Sequence, residues 1–558
     1  EIIHDRDAAT LLAFAALKTG SPEYLEKHLR DVRKSLESAV LNLVHPDDAR
    51  RCFRNPDHVK FFRPYLEMQQ DMHLLDYDSL LYHTVFLLSG NADILDRYRA
   101  GFHYIFVDEY QDINPAQYGL IKLLAGDGKQ LSAIGDPDQA IYGFRGARTD
   151  YFRAFSTDFP GAEVLSLARN YRSSETILRA AGQLMQGNCE SGRIWSGIEG
   201  RKHLEICPLQ SEKAEAEFIV HTIESMVGGT RFFSLDSGRV REEEDARKDY
   251  SFRDFAVLYR THQLGEAVEE AFLRAGIPFQ RKRGRHFSEK PPVASLLYFL
   301  QILDNPLNTF ALFQSLRSPT VGLPAARAET IRQQAFEKKL SAPDAVQWGR
   351  RHLLLSAKED RALEKLEKML LSLEPGLHSP DLEKLVIMAM EAISFSSLYR
   401  DGGEGPEEDM QVLKDCARIV KKGIGPFIAY LNLQGEVDTY NFQAEKVSLM
   451  TLHASKGLEF PVVFIAACEE GILPLSGWLG KSGDPAEERR LFYVGLTRAA
   501  ECIYLTYSLF RSIAGERKVQ KPSPFIADIE RELTRIFDTA YGKKKKSGKN
   551  GAEQMSLF

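Results

Sequence analysis

An α/β fold of parallel sheets interrupted by helical blocks is predicted by three features of these 558 residues. Short Val/Ile/Phe-rich runs break into acidic or glycine-rich turns, long Leu/Ala/Glu/Arg stretches carry helical spacing, and the two patterns alternate along the chain. Residues 1–97 read as a helical domain, as in Tyr24-Leu25-Glu26-Lys27-His28-Leu29-Arg30-Asp31-Val32. Residues 98–157 hold two strand-like runs, Ile105-Phe106-Val107 and Leu131-Ser132-Ala133-Ile134, each ending in polar residues. A second α/β pattern fills 158–285, with strands predicted at 164–167, 204–207 and 255–259 and a solvated charged loop at 239–249. Residues 286–443 turn helical, with 362–373 giving clear periodicity and Glu374-Pro375-Gly376 ending the run. The α/β pattern resumes over 444–535, where 460–468 reads as a buried strand. Residues 536–558 form a lysine-rich tail too polar and like-charged to fold alone.

Composition sets limits on function. Charged residues at 27% and hydrophobic residues at 44% are ordinary for a globular chain, and the net charge of -6 leaves any nucleic-acid contact to a local basic surface. Six scattered cysteines without a C-x-x-C pair argue against a disulfide framework. No apolar run approaches the ~18 residues that span a bilayer, and the cytoplasm is the expected compartment.

The run Ile105-Phe106-Val107-Asp108-Glu109-Tyr110-Gln111-Asp112 predicts a strand buried on both faces that delivers two carboxylates to the end of a sheet, where ligands bind. Such a pair can hold a divalent cation and a water. The plainer alternative is a strand running into a polar turn. Some two dozen residues on, Gly135-Asp136-Pro137-Asp138-Gln139-Ala140-Ile141-Tyr142-Gly143-Phe144-Arg145 follows another apolar run. Gln139 both donates and accepts, so it can feel a water and a terminal phosphate. Tyr142, Phe144 and Arg145 offer two aromatic faces and a guanidinium for unpaired bases and a phosphate, the alternative being core packing.

Together with Asn170-Tyr171-Arg172-Ser173, Thr451-Leu452-His453-Ala454-Ser455-Lys456-Gly457-Leu458-Glu459-Phe460 and Glu488-Arg489-Arg490-Leu491-Phe492-Tyr493-Val494-Gly495-Leu496-Thr497-Arg498-Ala499, these segments resemble the ordered motifs of UvrD/Rep-type superfamily 1A DNA helicases. The resemblance implies two RecA-like parallel-sheet motor domains with helical insertions in each. It implies ATP and Mg²⁺ as ligands, single-stranded and duplex DNA as partners, and 3′ to 5′ polarity in repair or replication. By position it implies that Asp108 holds Mg²⁺, that Glu109 orients or deprotonates the attacking water and that Gln139 senses the γ-phosphate. It also implies that Tyr171 stacks on adenine, that Arg172 and Arg498 act as arginine fingers, and that Glu459 binds the ribose. Tyr142, Phe144 and Arg145 would contact DNA, with His453 coupling that contact to the nucleotide. The stacking aromatic is commonly Trp in this family, and here it is Phe144. Residues 1–97 would be the 1B insertion, 98–157 the C-terminal part of domain 1A, 158–285 and 444–535 domain 2A, and 286–443 the 2B insertion. Within 2B, Thr320-Val321-Gly322-Leu323-Pro324 is a candidate duplex contact, or else an ordinary interhelical turn.

The pattern G-x-x-x-x-G-K-[ST], whose backbone amides and lysine cradle phosphates, has no match. Gly480-Lys481-Ser482 follows Leu475 where a glycine belongs, and Gly126-Asp127-Gly128-Lys129-Gln130 lacks the hydroxyl. With Glu1 in first place, the expectation is a truncated chain, its first motor domain incomplete and its ATP hydrolysis feeble. The alternative is a DNA-binding or scaffolding protein whose motor is dead; the retention of Asp108, Glu109, Gln139, Arg172 and Arg498 favours a motor. Finally, Gln554-Met555-Ser556-Leu557-Phe558 resembles a bacterial sliding-clamp-binding peptide, with Gln554, Leu557 and Phe558 as the anchors, or is a coincidental ending.

Overall fold

The computed structural model describes residues 2–126, 130–185, 194–198, 200, 203–227, 250–281, 287–373, 381–399, 406–421, 423–433, 443–476, 483–513 and 516–537. The charged stretch 239–249, Glu374-Pro375-Gly376, Asp127 to Lys129, Gly480-Lys481-Ser482, the lysine-rich tail and its Gln554, Leu557 and Phe558 lie outside the described residues. The chain divides into two compact units. The first comprises 1–134, 144–151 and 283–441, and the second 135–143, 152–282 and 442–558.

The first unit is mainly helical. Helix Pro22–Leu41 starts on its proline and buries Leu25, Val32, Leu36, Ala39 and Val40, a stripe at the spacing that places one face inward. Asn55 caps helix Pro56–Asp71 by accepting from Asp57 N, leaving Phe61, Phe62, Tyr65 and Leu66 for the core. That core is continuous from Ile3 through Tyr82 and from Phe287 through Leu431. The helical segments from the two ends of the unit therefore pack as one body. Phe14 meets Phe313 edge-on at 4.9 Å, and the buried Asp7 carboxylate accepts from Tyr298 Oη at 2.5 Å and Gln314 Nε2 at 2.9 Å. Thr320 to Pro324 connects helices Thr309–Arg317 and Ala325–Lys338, with Gly322 at φ +74°.

On this body sits a two-stranded parallel ribbon, β1 (Tyr104–Val107) and β2 (Gln130–Ala133), in the register Val107 with Ala133. Burial on both faces was expected of β1. Instead Tyr104 is 61% and Phe106 72% exposed on one face of the ribbon, while Ile105 and Val107 on the other are only partly buried.

The second unit holds two more sheets. A parallel pair, β3 (Arg169–Asn170) and β4 (Trp195–Ser196), stands apart from the main sheet. The main sheet is built from β5 (Leu204–Ser211), β6 (Phe255–Tyr259), β7 (Phe279–Arg281), β8 (Val447–Thr451), β9 (Phe460–Ile465), β10 (Ala499–Ile513), β11 (Glu516–Val519) and β12 (Thr534–Ile536). Its order is β12-β5-β10-β9-β6-β8-β7, parallel throughout, with β11 turned back antiparallel on β10. All five residues of β6 are buried, as a central parallel strand requires. The strand expected at 164–167 does not form: Val164, Leu165 and Leu167 are exposed and outside any ladder.

Beneath the sheet ends, Arg511 joins Glu215 at 2.5 Å and Glu469 at 2.7 Å, all three buried. Burial, foremost, pushes the Glu469 carboxyl up, while the Arg511 guanidinium opposes it. Thr506 Oγ1 and the Ala467 amide donate to the other Glu215 oxygen, and Ser508 adds a bond to each carboxylate. The network pins the turn that follows β9 to β10. Among the described residues no helix is long and apolar enough to cross a membrane.

Candidate functional site

In the first unit, β1 ends where the chemistry begins. Ile134 N donates to Val107 O at 2.8 Å and Tyr110 N to Ile134 O at 2.9 Å, so the ribbon's last bonds straddle Asp108 and Glu109. Asp108 is exposed and its Oδ1 accepts from Glu109 N at 2.9 Å. Glu109 takes a left-handed conformation, φ 52° and ψ 44°, which a non-glycine residue adopts only when its surroundings impose it. The buried Gln111 donates through Nε2 to Glu109 Oε2 and fixes that carboxylate. The following helix Pro115–Ala125 is anchored by a capping box between Asn114 and Gln117, which holds the acidic turn from its far side.

Phe144 and Arg145 lie in the same unit on a short 3₁₀ turn, Gly143–Arg145. Phe144 is 59% exposed, and the Arg145 guanidinium is 5.7 Å from its ring centre. Arg145 also acts on Asp78. Burial, then the charges of Asp76, Glu37 and Asp5, push that carboxyl up to about 6, and Arg145 pulls it down.

In the second unit, Gln139 is held from three sides. Its Nε2 donates to Asp136 Oδ2 at 2.7 Å, its Oε1 accepts from Arg498 Nη2 at 3.1 Å, and its carbonyl accepts from Lys456 Nζ at 2.8 Å. Arg490 Nε bonds the next carbonyl, Ala140 O, at 2.6 Å. Arg498 joins the end of helix Pro485–Leu496 to β10 and is 2% exposed. It donates to Val494 O at 3.0 Å, Leu458 O at 3.1 Å and Thr497 Oγ1 at 3.1 Å, so its direction is set by two backbone carbonyls and one hydroxyl.

Arg172 pairs with Glu459 at 2.6 Å, both partly exposed. Its turn is built by Asn170, whose Oδ1 accepts from Arg172 N and Ser173 N, each at 2.8 Å. Ser173 then donates to Ala499 O at 2.6 Å, fastening the turn to the start of β10 beside Arg498. Tyr171 is 75% exposed. Tyr142 and His453 meet as well: the phenol donates to His453 O at 3.4 Å, and Lys456 Nζ lies 5.6 Å from the Tyr142 ring centre.

Thus the structure brings Asp108 together with Glu109, Phe144 with Arg145, Gln139 with Arg498, Arg172 with Glu459, and Tyr142 with His453. Tyr142 belongs to the second unit and Phe144 to the first, although the two are sequence neighbours. Sequence reasoning missed Lys456, Arg490 and Asn170 as positioning groups. Each stands inside a quoted motif, yet nothing in the string says which backbone carbonyl or amide it will meet.

Two family models match. The model of the UvrD/REP helicase N-terminal domain covers residues 3–160, and that of the UvrD-like helicase C-terminal domain covers 165–350 and 396–509. The chain belongs to the UvrD/REP helicase family. Among its curated relatives, "ATP-dependent DNA helicase PcrA" of Leuconostoc citreum is 30% identical over 532 residues, 92% of this chain and 68% of the relative. The protein of the same name in Staphylococcus aureus strain MRSA252 is 30% identical over 475 residues, 82% of this chain and 62% of the relative. That of Staphylococcus epidermidis is 29% identical over 531 residues, 91% and 70%.

This result corrects one expectation. The N-terminal domain of a UvrD/REP helicase is represented from residue 3 to residue 160, through helices from Asp5–Lys18 to Asp150–Asp158 and strands β1 and β2. A first motor domain left incomplete and a motor inactive for that reason are therefore overturned as readings. Those readings rested on one short string, whereas the domain is recognised by the pattern of the whole segment.

Proposed function

We propose that this UvrD/REP family chain couples ATP hydrolysis to movement along single-stranded DNA and to unwinding of duplex DNA, 3′ to 5′, in repair or replication. The observation that carries the proposal is the Gln139–Arg498 bond. It joins an amide suited to sensing a terminal phosphate to a guanidinium aimed by three further bonds.

Phosphoryl transfer needs positioning and charge neutralisation more than covalent chemistry. Asp108 is assigned the Mg²⁺. Its exposed carboxylate suits this hard cation, which takes one or two protein carboxylates beside phosphate oxygens. Among the described residues no cluster of three or more His, Cys, Asp or Glu groups makes an all-protein cage, and Mg²⁺ does not require one. When bound, it neutralises charge on the phosphates. Glu109, steadied by Gln111, is assigned the attacking water. Gln139 is assigned the γ-phosphate, Arg172 and Arg498 the charge developing on it, Tyr171 the adenine and Glu459 the ribose.

Lys456 supplies a route from nucleotide to DNA. It holds the Gln139 carbonyl and faces the Tyr142 ring, so a shift of Gln139 on phosphate loss is felt at Tyr142 and its partner His453. Tyr142, Phe144, Arg145 and His453 are assigned to single-stranded DNA. Gln554, Leu557 and Phe558 are assigned to a bacterial sliding clamp.

The test is ATP hydrolysis by the 558-residue chain with and without single-stranded DNA. Stimulated hydrolysis is expected, and Glu109→Gln should lower it about 10²- to 10⁴-fold, the range for loss of a general base. Absence of stimulated hydrolysis in the folded chain would overturn the proposal.

A further inference from the structure

We propose that Arg169 and Trp195 are positioning residues for the nucleobase, holding the Tyr171 ring in the orientation that stacks on it. The inference rests on the assignment of Tyr171 to adenine and deepens it. Arg169 and Trp195 are register partners across β3 and β4, so their side chains rise from the same face of the ribbon. Tyr171 follows two residues after Arg169. The Arg169 guanidinium lies 4.9 Å from the Tyr171 ring centre and 5.2 Å from that of Trp195, placing one cation against two aromatic rings.

The ribbon is fixed from below. Ser196 N donates to Glu175 Oε2 at 2.7 Å, and Asn170 caps the turn that carries Tyr171. The rings nevertheless face solvent, Tyr171 at 75% and Trp195 at 44% exposure. An exposed tyrosine pays side-chain entropy each time it stacks on a ligand. A guanidinium against its ring reduces that cost, which is how pre-organisation raises affinity. Arg169 and Trp195 need not touch the nucleotide, and they act on the base alone, not on the phosphates.

The experiment compares the affinity of the full chain for Mg²⁺-ATP and for inorganic tripolyphosphate by titration calorimetry, with Arg169→Ala, Arg169→Lys, Trp195→Leu and Tyr171→Ala. Arg169→Ala and Trp195→Leu should each weaken ATP about 3- to 10-fold, the worth of one immobilised side chain, and leave tripolyphosphate unchanged. Arg169→Lys keeps the cation and should recover part of the loss. Equal weakening of both ligands, or no weakening of ATP beside a clear effect of Tyr171→Ala, overturns the positioning role alone. If Tyr171→Ala leaves ATP binding unchanged, or the unaltered chain binds ATP no better than tripolyphosphate, the base-stacking assignment itself fails.

Discussion

Lys456 donates to the carbonyl of Gln139 at 2.8 Å across 317 residues of sequence, and the same ammonium lies 5.6 Å from the Tyr142 ring. One side chain thus reads both the segment assigned to the γ-phosphate and an aromatic assigned to DNA. Lys456→Met keeps the aliphatic length and removes the cation. It should spare basal ATP hydrolysis and lower its stimulation by single-stranded DNA roughly 10- to 100-fold, because a hydrogen bond to a charged group contributes about 1.5–3 kcal/mol. Steady-state hydrolysis measured across a DNA titration checks this, and full stimulation in the variant would remove Lys456 from the coupling route.

The Arg172–Glu459 pair is a different case. With side-chain exposures of 32% and 64%, it should contribute ~1 kcal/mol or less to stability. Glu459→Gln is therefore expected to leave the melting temperature nearly unchanged. If Glu459 binds the ribose, the variant should lose discrimination between ATP and its deoxy analogue. Retained discrimination together with an unchanged melting temperature would reduce the pair to a surface contact.

These pairs explain how much of the site was legible beforehand. Asp108, Glu109 and Gln139 announce themselves because each lies in the polar turn just after a local apolar run, a signal carried by nearby residues. The partners of Gln139, Arg172 and Arg169 were not legible, since Arg498, Glu459 and Trp195 reach them only through the ordering of strands. The fold divides similarly. β6 was readable because a strand buried on both faces is apolar without interruption, and Val164, Leu165 and Leu167 mimic that signal while lying exposed outside every ladder. An apolar run specifies a strand only where a neighbouring strand accepts it.

Asp78 makes stability depend on pH. Its folded-state value, about 6, lies above the ordinary 3.8 because burial and the charges of Asp76, Glu37 and Asp5 disfavour the carboxylate. The native state therefore binds this proton more tightly than the unfolded chain does. The resulting stabilisation is complete below about pH 4 and is lost as pH rises through about 6, an effect on the order of 1–3 kcal/mol. Asp78→Asn should stabilise the first unit at pH 8 by that order and change little at pH 4. Melting curves at the two pH values decide it, and an equal shift at both would assign the effect to something other than this titration.

Phe144 and Arg145 can be separated by salt. A base stacked on an exposed ring contributes about 1–3 kcal/mol, so Phe144→Ala should weaken single-stranded DNA binding roughly 5- to 100-fold. Because stacking releases no counterions, the dependence of affinity on salt should stay the same in that variant. Arg145→Ala, by contrast, should flatten the salt dependence by about one counterion's worth if its guanidinium meets a phosphate. The Arg145 guanidinium lies 5.7 Å from the Phe144 ring, so the two losses should combine less than additively in the double variant. Phe144→Trp offers a larger face at the same turn and should tighten binding with the slope unchanged. Affinities of Phe144→Ala and Phe144→Trp indistinguishable from that of the unaltered chain would exclude this ring from DNA contact, whatever Arg145 does.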